Sequence, residues 1–235
     1  MSKLIPYGRQ EVTEADISAV VDVLRSNFLT QGPAIAQFEK KITEYTGAKY
    51  AVAVSNATAA LHIACLAAEL GEQDWLWTSP NSFVASANCG LYCGASVDFV
   101  DIDKKTYNMD VDALELKLEK AALEKRLPKV VVPVAFGGQS CAMDRIVQLS
   151  KKFGFKIIED ASHAIGGKYR GKPIGNGEFA DMTVFSFHPV KIITTGEGGM
   201  VLTNSRDLYE KLLMLRTHGI TRDATKLKRV DAGGW

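Results

Sequence analysis

The run KVVVPV, residues 129–134, constrains the fold of this chain more than any other stretch. A strand with one face in water alternates apolar and polar residues. Here successive residues are β-branched and apolar, so the predicted strand must be covered on both faces, as in a mostly parallel sheet. FKIIED, 155–160, and MTVFSF, 182–187, read the same way. Further strands are expected at 49–54, 75–79, 96–100 and 200–204. Helical patterns fall between them. Ile17, Val20, Val21 and Leu24 recur at helical spacing behind Thr13, a suitable N-cap. ATAALHIACLAAEL is a small-residue helix, with others expected at 82–92, 110–125, 143–153 (closed by Gly154) and 207–217. Strands alternating with helices of this length define an α/β layered fold with helices on both faces of a mostly parallel sheet. Residues 166–177 carry five glycines and read as a loop-rich stretch.

Composition narrows the function classes. Lys and Arg total 28 and Asp and Glu 27, a net charge of +1, which supplies no basic face for nucleic acid. No apolar run reaches the roughly 18 residues of a membrane span. The opening MSKLIPYGRQ lacks the apolar centre of a secretory signal, so a cytoplasmic protein is expected. Cys65, Cys89, Cys93 and Cys141 form no CxxC pair and are expected to be reduced and mostly buried. No metal-ligand spacing is present, and no metal is expected.

In such sheets ligands bind beyond the carboxyl ends of the strands. Three chemically loaded segments fall there. SNAT, 55–58, joins a strand to a small-residue helix whose first amides and dipole suit a phosphate, although capping alone would also explain it. EDASH places Asp160 at the end of an apolar strand, with His163 three residues on. Such a carboxylate either caps the next turn or meets a cation, for example a protonated heterocycle. FSFHPVKIITTGEGG places Lys191 among Val190, Ile192 and Ile193, neighbours that argue against a fully hydrated amine. Loss of hydration lowers an amine's pKa and frees it for Schiff-base chemistry. An amine, an acid and an anion site are together what pyridoxal 5'-phosphate requires. Phe83, after another strand, either stacks on a ring or packs in the core.

These motifs, with LTQGP at 29–33, SFVASANC, VDID at 100–103 and LRTHGITRD, resemble the DegT/DnrJ/EryC1/StrS sugar aminotransferases, which are fold-type I pyridoxal-phosphate enzymes. The resemblance runs from about residue 5 to 223. It implies that Lys191 bonds the cofactor aldehyde and later moves the proton. It places Asp160 at the pyridine nitrogen, His163 at the phenolic oxygen and Phe83 on the ring face. Ser186, Thr58 and Ala59 are matched to the phosphate. Tyr7, the LTQGP loop and His188 fall near the substrate by the same resemblance, although Gly32 and Pro33 are equally well explained as a turn into a helix. SFHPVKIITTGEGGM and LYCGASVDFVDID are most similar to the members that aminate C4 of a UDP-linked 4-keto-6-deoxy sugar, with L-glutamate as donor, in pseudaminic acid biosynthesis. Perosamine-type and 4-amino-4-deoxy-arabinose-type enzymes share the cofactor residues. Relatives continue well past Trp235. The expectation is therefore a cofactor-binding large domain over 1–220, with 221–235 opening a connection to a small domain beyond this sequence. A homodimer is expected of the full-length protein, and low turnover of this chain alone.

Overall fold

The computed structural model describes residues 8–220 and Thr225. Tyr7 and most of 221–235 lie outside the described residues, as do the expectations that fall on them.

The sequence's strands become β1 (Tyr50–Val54), β2 (Trp75–Thr78), β3 (Ser96–Phe99), β4 (Val130–Val132), β5 (Lys156–Asp160), β8 (Met182–Ser186) and β9 (Gly199–Thr203). They form one seven-stranded sheet in the order β1-β9-β8-β5-β4-β2-β3. All neighbours from β8 to β3 are parallel. β9 runs against both β8 and β1, with Val54 opposite Gly199 and Ser186 opposite Gly199 on the other side. Every strand except β9 therefore ends on one edge of the sheet. Residues 166–177 also hold a short hairpin, β6 (Lys168–Tyr169) with β7 (Lys172–Pro173), that composition does not reveal.

Helices cover both faces. α3 (Ala57–Ala67), α4 (Ala85–Tyr92) and α7 (Arg206–Arg216) bury Ala64, Cys65, Cys89, Leu208 and Leu212 against Val52, Leu76, Ile158 and Val184. On the opposite face, α5 (Val111–Leu123) and α6 (Met143–Phe153) pack on Trp77, Val131 and Ile157. α2 (Pro33–Thr46) lays Ile42 over the cluster that contains Ala51, Phe185, Met200 and Leu202. Each strand splits its residues between the two layers, which is why the central runs are apolar throughout. Of the four free cysteines, three are buried and Cys93 is half-buried.

Local sequence explains the helix ends. In α1 (Glu14–Arg25), Thr13 and Asp16 form a reciprocal capping box. That helix buries none of its residues, and Ile17, Val20 and Leu24 stand exposed. Pro33 opens α2 behind Gly32, and Gly154 closes α6 with φ 83°. α4 starts at Ala85, three residues later than its pattern suggests, because residues 82–84 form the turn that leaves β2. β4 stops at Val132, where Pro133 removes a ladder donor.

Candidate active site

The carboxyl ends of β1, β5 and β8 collect the residues singled out in the sequence. Asp160 is the last residue of β5 and is buried, on the sheet face that carries α3 and α4. Its Oδ2 accepts from Ser86 Oγ at 2.6 Å. Its Oδ1 accepts from Ser162 Oγ at 2.6 Å and from the Ser162 amide at 3.2 Å. Among the described residues no Lys, Arg or His comes within ion-pairing distance of this carboxylate. Two hydroxyls and one amide hold it, and among the described residues it has no ion pair.

Lys191 follows β8 in a loop tied down by its backbone. The Lys191 amide donates to His188 O at 2.9 Å, Phe187 N to Gly198 O at 2.9 Å, and Thr195 N to Phe187 O at 3.0 Å. The side chain is half-buried and hydrogen-bonds through Nζ to Nε2 of His163. Burial holds the Lys191 amine below the usual lysine range, with the Asp160 charge opposing the shift. Burial also lowers His163, the Lys191 charge adds to the effect, and Asp160 again opposes it. The apolar neighbours do not provide this burial, contrary to the sequence expectation. Val190, Ile192 and Ile193 are themselves exposed, because the loop has left the sheet, and the amine is instead turned toward His163. His188 is exposed on the same turn, its Nδ1 accepting from the Val190 amide at 3.4 Å.

Thr58 and Ala59 lie in the first turn of α3, directly after β1. Asn56 is the N-cap, and its Oδ1 accepts from the Ala59 amide at 2.8 Å. The Ala59 donor is thus already engaged, and the amides of Ala57 and Thr58 remain the ones that first-turn geometry leaves without an intrahelical partner. Gly199 lies against this turn. A Cβ there would sit 2.4 Å from Asn56 C and 2.6 Å from Ala57 N, so only glycine lets β9 pass so close. Ser186, buried at the end of β8, pairs with the same glycine. The amide turn and the serine expected at a phosphate are therefore neighbours across Gly199.

Phe83 is 73% exposed, which excludes core packing and leaves the ring available to a ligand. Beneath the site, Glu159 is buried on the opposite face of β5 and accepts from Thr183 Oγ1 at 3.2 Å. Burial pushes its carboxyl up to about 7; the Thr183 bond opposes this and the neighbouring Asp160 charge adds to it. A cavity of about 270 Å³ beside Trp75, Trp77 and Lys117 includes none of the candidate residues.

The donor set fits pyridoxal 5'-phosphate. A buried carboxylate without a cation suits a pyridinium, an amine of lowered pKa suits an aldehyde, and a helix start with open amides suits a phosphate. Sequence reasoning overlooked Ser86 and Ser162. Ser162 is visible inside EDASH, but nothing in the spacing pairs position 86 with position 160.

The sheet order, the reversed β9 and the residues at its carboxyl edge define a fold-type I, pyridoxal-phosphate-dependent aminotransferase architecture. Residues 10–234 match the DegT/DnrJ/EryC1/StrS aminotransferase family, and the chain belongs to it. It is 42% identical over 219 residues to a Campylobacter jejuni UDP-4-amino-4,6-dideoxy-N-acetyl-beta-L-altrosamine transaminase, covering 93% of this chain and 56% of that protein. It superposes on Helicobacter pylori PseC, described as an aminotransferase of pseudoaminic acid biosynthesis, with TM-score 0.85 and 34% identity, over 99% of this chain and 61% of that one. A putative sugar aminotransferase from Streptococcus pneumoniae in its PLP form gives TM-score 0.81 and 33% identity, over 92% of this chain and 59% of that one. The chain spans between 54% and 58% of the length of the curated relatives it matches. No helix of the described residues is long and apolar enough to cross a membrane.

Proposed function

We propose that this protein transfers an amino group from L-glutamate to C4 of a nucleotide-linked 4-keto-6-deoxy sugar. The preferred substrate is UDP-4-keto-6-deoxy-N-acetyl-altrosamine, and the protein acts in the cytoplasm as a homodimer. One observation carries the reading: a half-buried lysine of lowered pKa stands at the same sheet edge as a buried carboxylate that lacks a cation. When bound, pyridoxal 5'-phosphate supplies an aldehyde and a protonated ring that draws electrons from the substrate carbon.

The residues of the chain do the rest. Asp160 holds the ring nitrogen protonated. The Ala57 and Thr58 amides, with Ser186, bind the phosphate. Phe83 covers one ring face. With the cofactor bound, Lys191 would present a neutral amine to its aldehyde and would carry the proton taken from the donor's Cα. His163 orients Lys191 and faces the phenolic oxygen. The match to the Campylobacter transaminase supports the choice of sugar, and residues 1–220 are proposed as the cofactor domain.

The test is spectroscopic. Wild type mixed with pyridoxal phosphate should show a visible band that borohydride reduction converts into a near-ultraviolet band retained through gel filtration, and Lys191→Ala should lose both. Equal bands in the two proteins would overturn the assignment. Transfer of ¹⁵N from labelled glutamate to a panel of UDP-4-keto sugars then identifies the substrate. Cofactor binding without transfer to any of them would overturn the sugar aminotransferase activity of this chain.

A further inference from the structure

Ser86 shares the SFVASANC segment with Phe83 but has no part in the cofactor match above, yet it holds the carboxylate proposed to govern the ring chemistry. It is fully buried in the first turn of α4 and donates to Asp160 Oδ2 at 2.6 Å. A buried hydroxyl must find an acceptor, and a hydroxyl on a carboxylate at this distance is a strong, charge-assisted bond. The other contacts of Asp160 come from Ser162, two residues on in the same turn, and so move with the strand end. Ser86 is 74 residues away in sequence and is the described contact that fixes the carboxylate against a different element.

That element is itself fixed. Gly90 brings α4 so close to β2 and β3 that a Cβ there would lie 3.0 Å from Val97 and 3.1 Å from Leu76. Cys89 Sγ donates to the Ser86 carbonyl at 3.3 Å. The Ser86 amide donates to the Phe83 carbonyl at 3.1 Å, so the same residue secures the turn that carries the exposed aromatic. The charged groups around Asp160 are Glu159 beside it in the strand, and Lys191 and His163 at the mouth.

We propose that Ser86 is a positioning residue: its hydrogen bond aims the Asp160 carboxylate, so that the shared proton stays on the cofactor's ring nitrogen, and it keeps Phe83 in register with that ring. The inference rests on the cofactor reading given above. A donor on a carboxylate stabilises its charged form. Without it, the proton between ring and carboxylate shifts toward the carboxylate.

The experiment uses the full chain with pyridoxal phosphate labelled with ¹⁵N in the ring. In wild type the nitrogen resonance should sit at the pyridinium position. In Ser86→Ala it should move toward neutral pyridine, and cofactor Kd should rise roughly tenfold or more, the factor expected for losing a hydrogen bond to a charged group. Ser86→Thr restores a hydroxyl and should restore the resonance. Ser86→Cys keeps the volume but weakens the donor, and an intermediate resonance is expected from it even if the alanine variant does not fold. Weaker binding with an unmoved nitrogen resonance in the alanine and cysteine variants would reduce Ser86 to packing and overturn the proposal. If wild type takes up no pyridoxal phosphate while remaining folded, the cofactor reading falls, and this inference with it.

Discussion

Asp160 and Ser86 are nearly closed to solvent, and each has its hydrogen bonds made before any ligand arrives. Phe83, His163 and the apolar residues flanking Lys191 lie at the same sheet edge and are exposed. The difference follows from origin. The closed wall is built from strand ends and a helix whose other faces are core, so its geometry comes with the fold. The open wall is built from turns that have left the sheet and are held by a few backbone hydrogen bonds. The buried acid and the first turn of α3 are thus preorganised within this chain, while Phe83 and the Lys191 loop stand open.

Substitutions separate the two walls by the size of their effects. Gly199→Val strikes the closed side hardest, because the new side chain meets the Asn56 and Ala57 backbone at 2.4–2.6 Å and backbone cannot step aside. Denaturant titration should show a loss of about 3 kcal/mol or more. The buried acid beneath Asp160 gives a pH signature. Glu159 titrates near 7 in the folded chain against 4.5 in the reference state, so the unfolded chain ionises first. Its contribution is fully present below pH 4.5 and is lost as pH rises to about 7, a fall of about 3 kcal/mol. Glu159→Gln should flatten the difference between stability at pH 5 and pH 8. A Gln variant with the slope of wild type would show that Glu159 is not the cause. Phe83→Ala should do least to folding, within about 0.5 kcal/mol for so exposed a ring, while weakening cofactor binding. If it unfolded the chain as readily as a core substitution, the distinction between the walls would break down.

Much of this was legible in the residues. Continuous β-branched runs, Thr13, Pro33 and Gly154 each act through local backbone preference, and local preference is what a sequence displays. Lys191, Asp160 and Thr58 were legible as candidates because each ends a strand or comes soon after one. The reversed sense of β9 was not, since an apolar pentapeptide reads the same in either direction. The exposure of Val190 and Ile192 was not legible either, because apolar neighbours in sequence need not be neighbours in space. Ser86 escaped because its partner lies on a different element. The Ala59 amide, satisfied by Asn56, shows how a capping residue can take a donor that a motif match assigns to a ligand.

The placement of β9 also sets a timetable. Among the described residues β1 has β9 as its sole partner in the sheet, and Val54 cannot pair with Gly199 until roughly 150 further residues have been made. At ordinary rates of translation that is on the order of ten seconds or more. Through that interval an apolar strand waits with both edges unpaired, and the first turn of α3 has no Ser186 beside it. The last of the described strands to be synthesised is the one that brings the first turn of α3 beside Ser186. Of the described strands, β1 therefore waits longest for its partner.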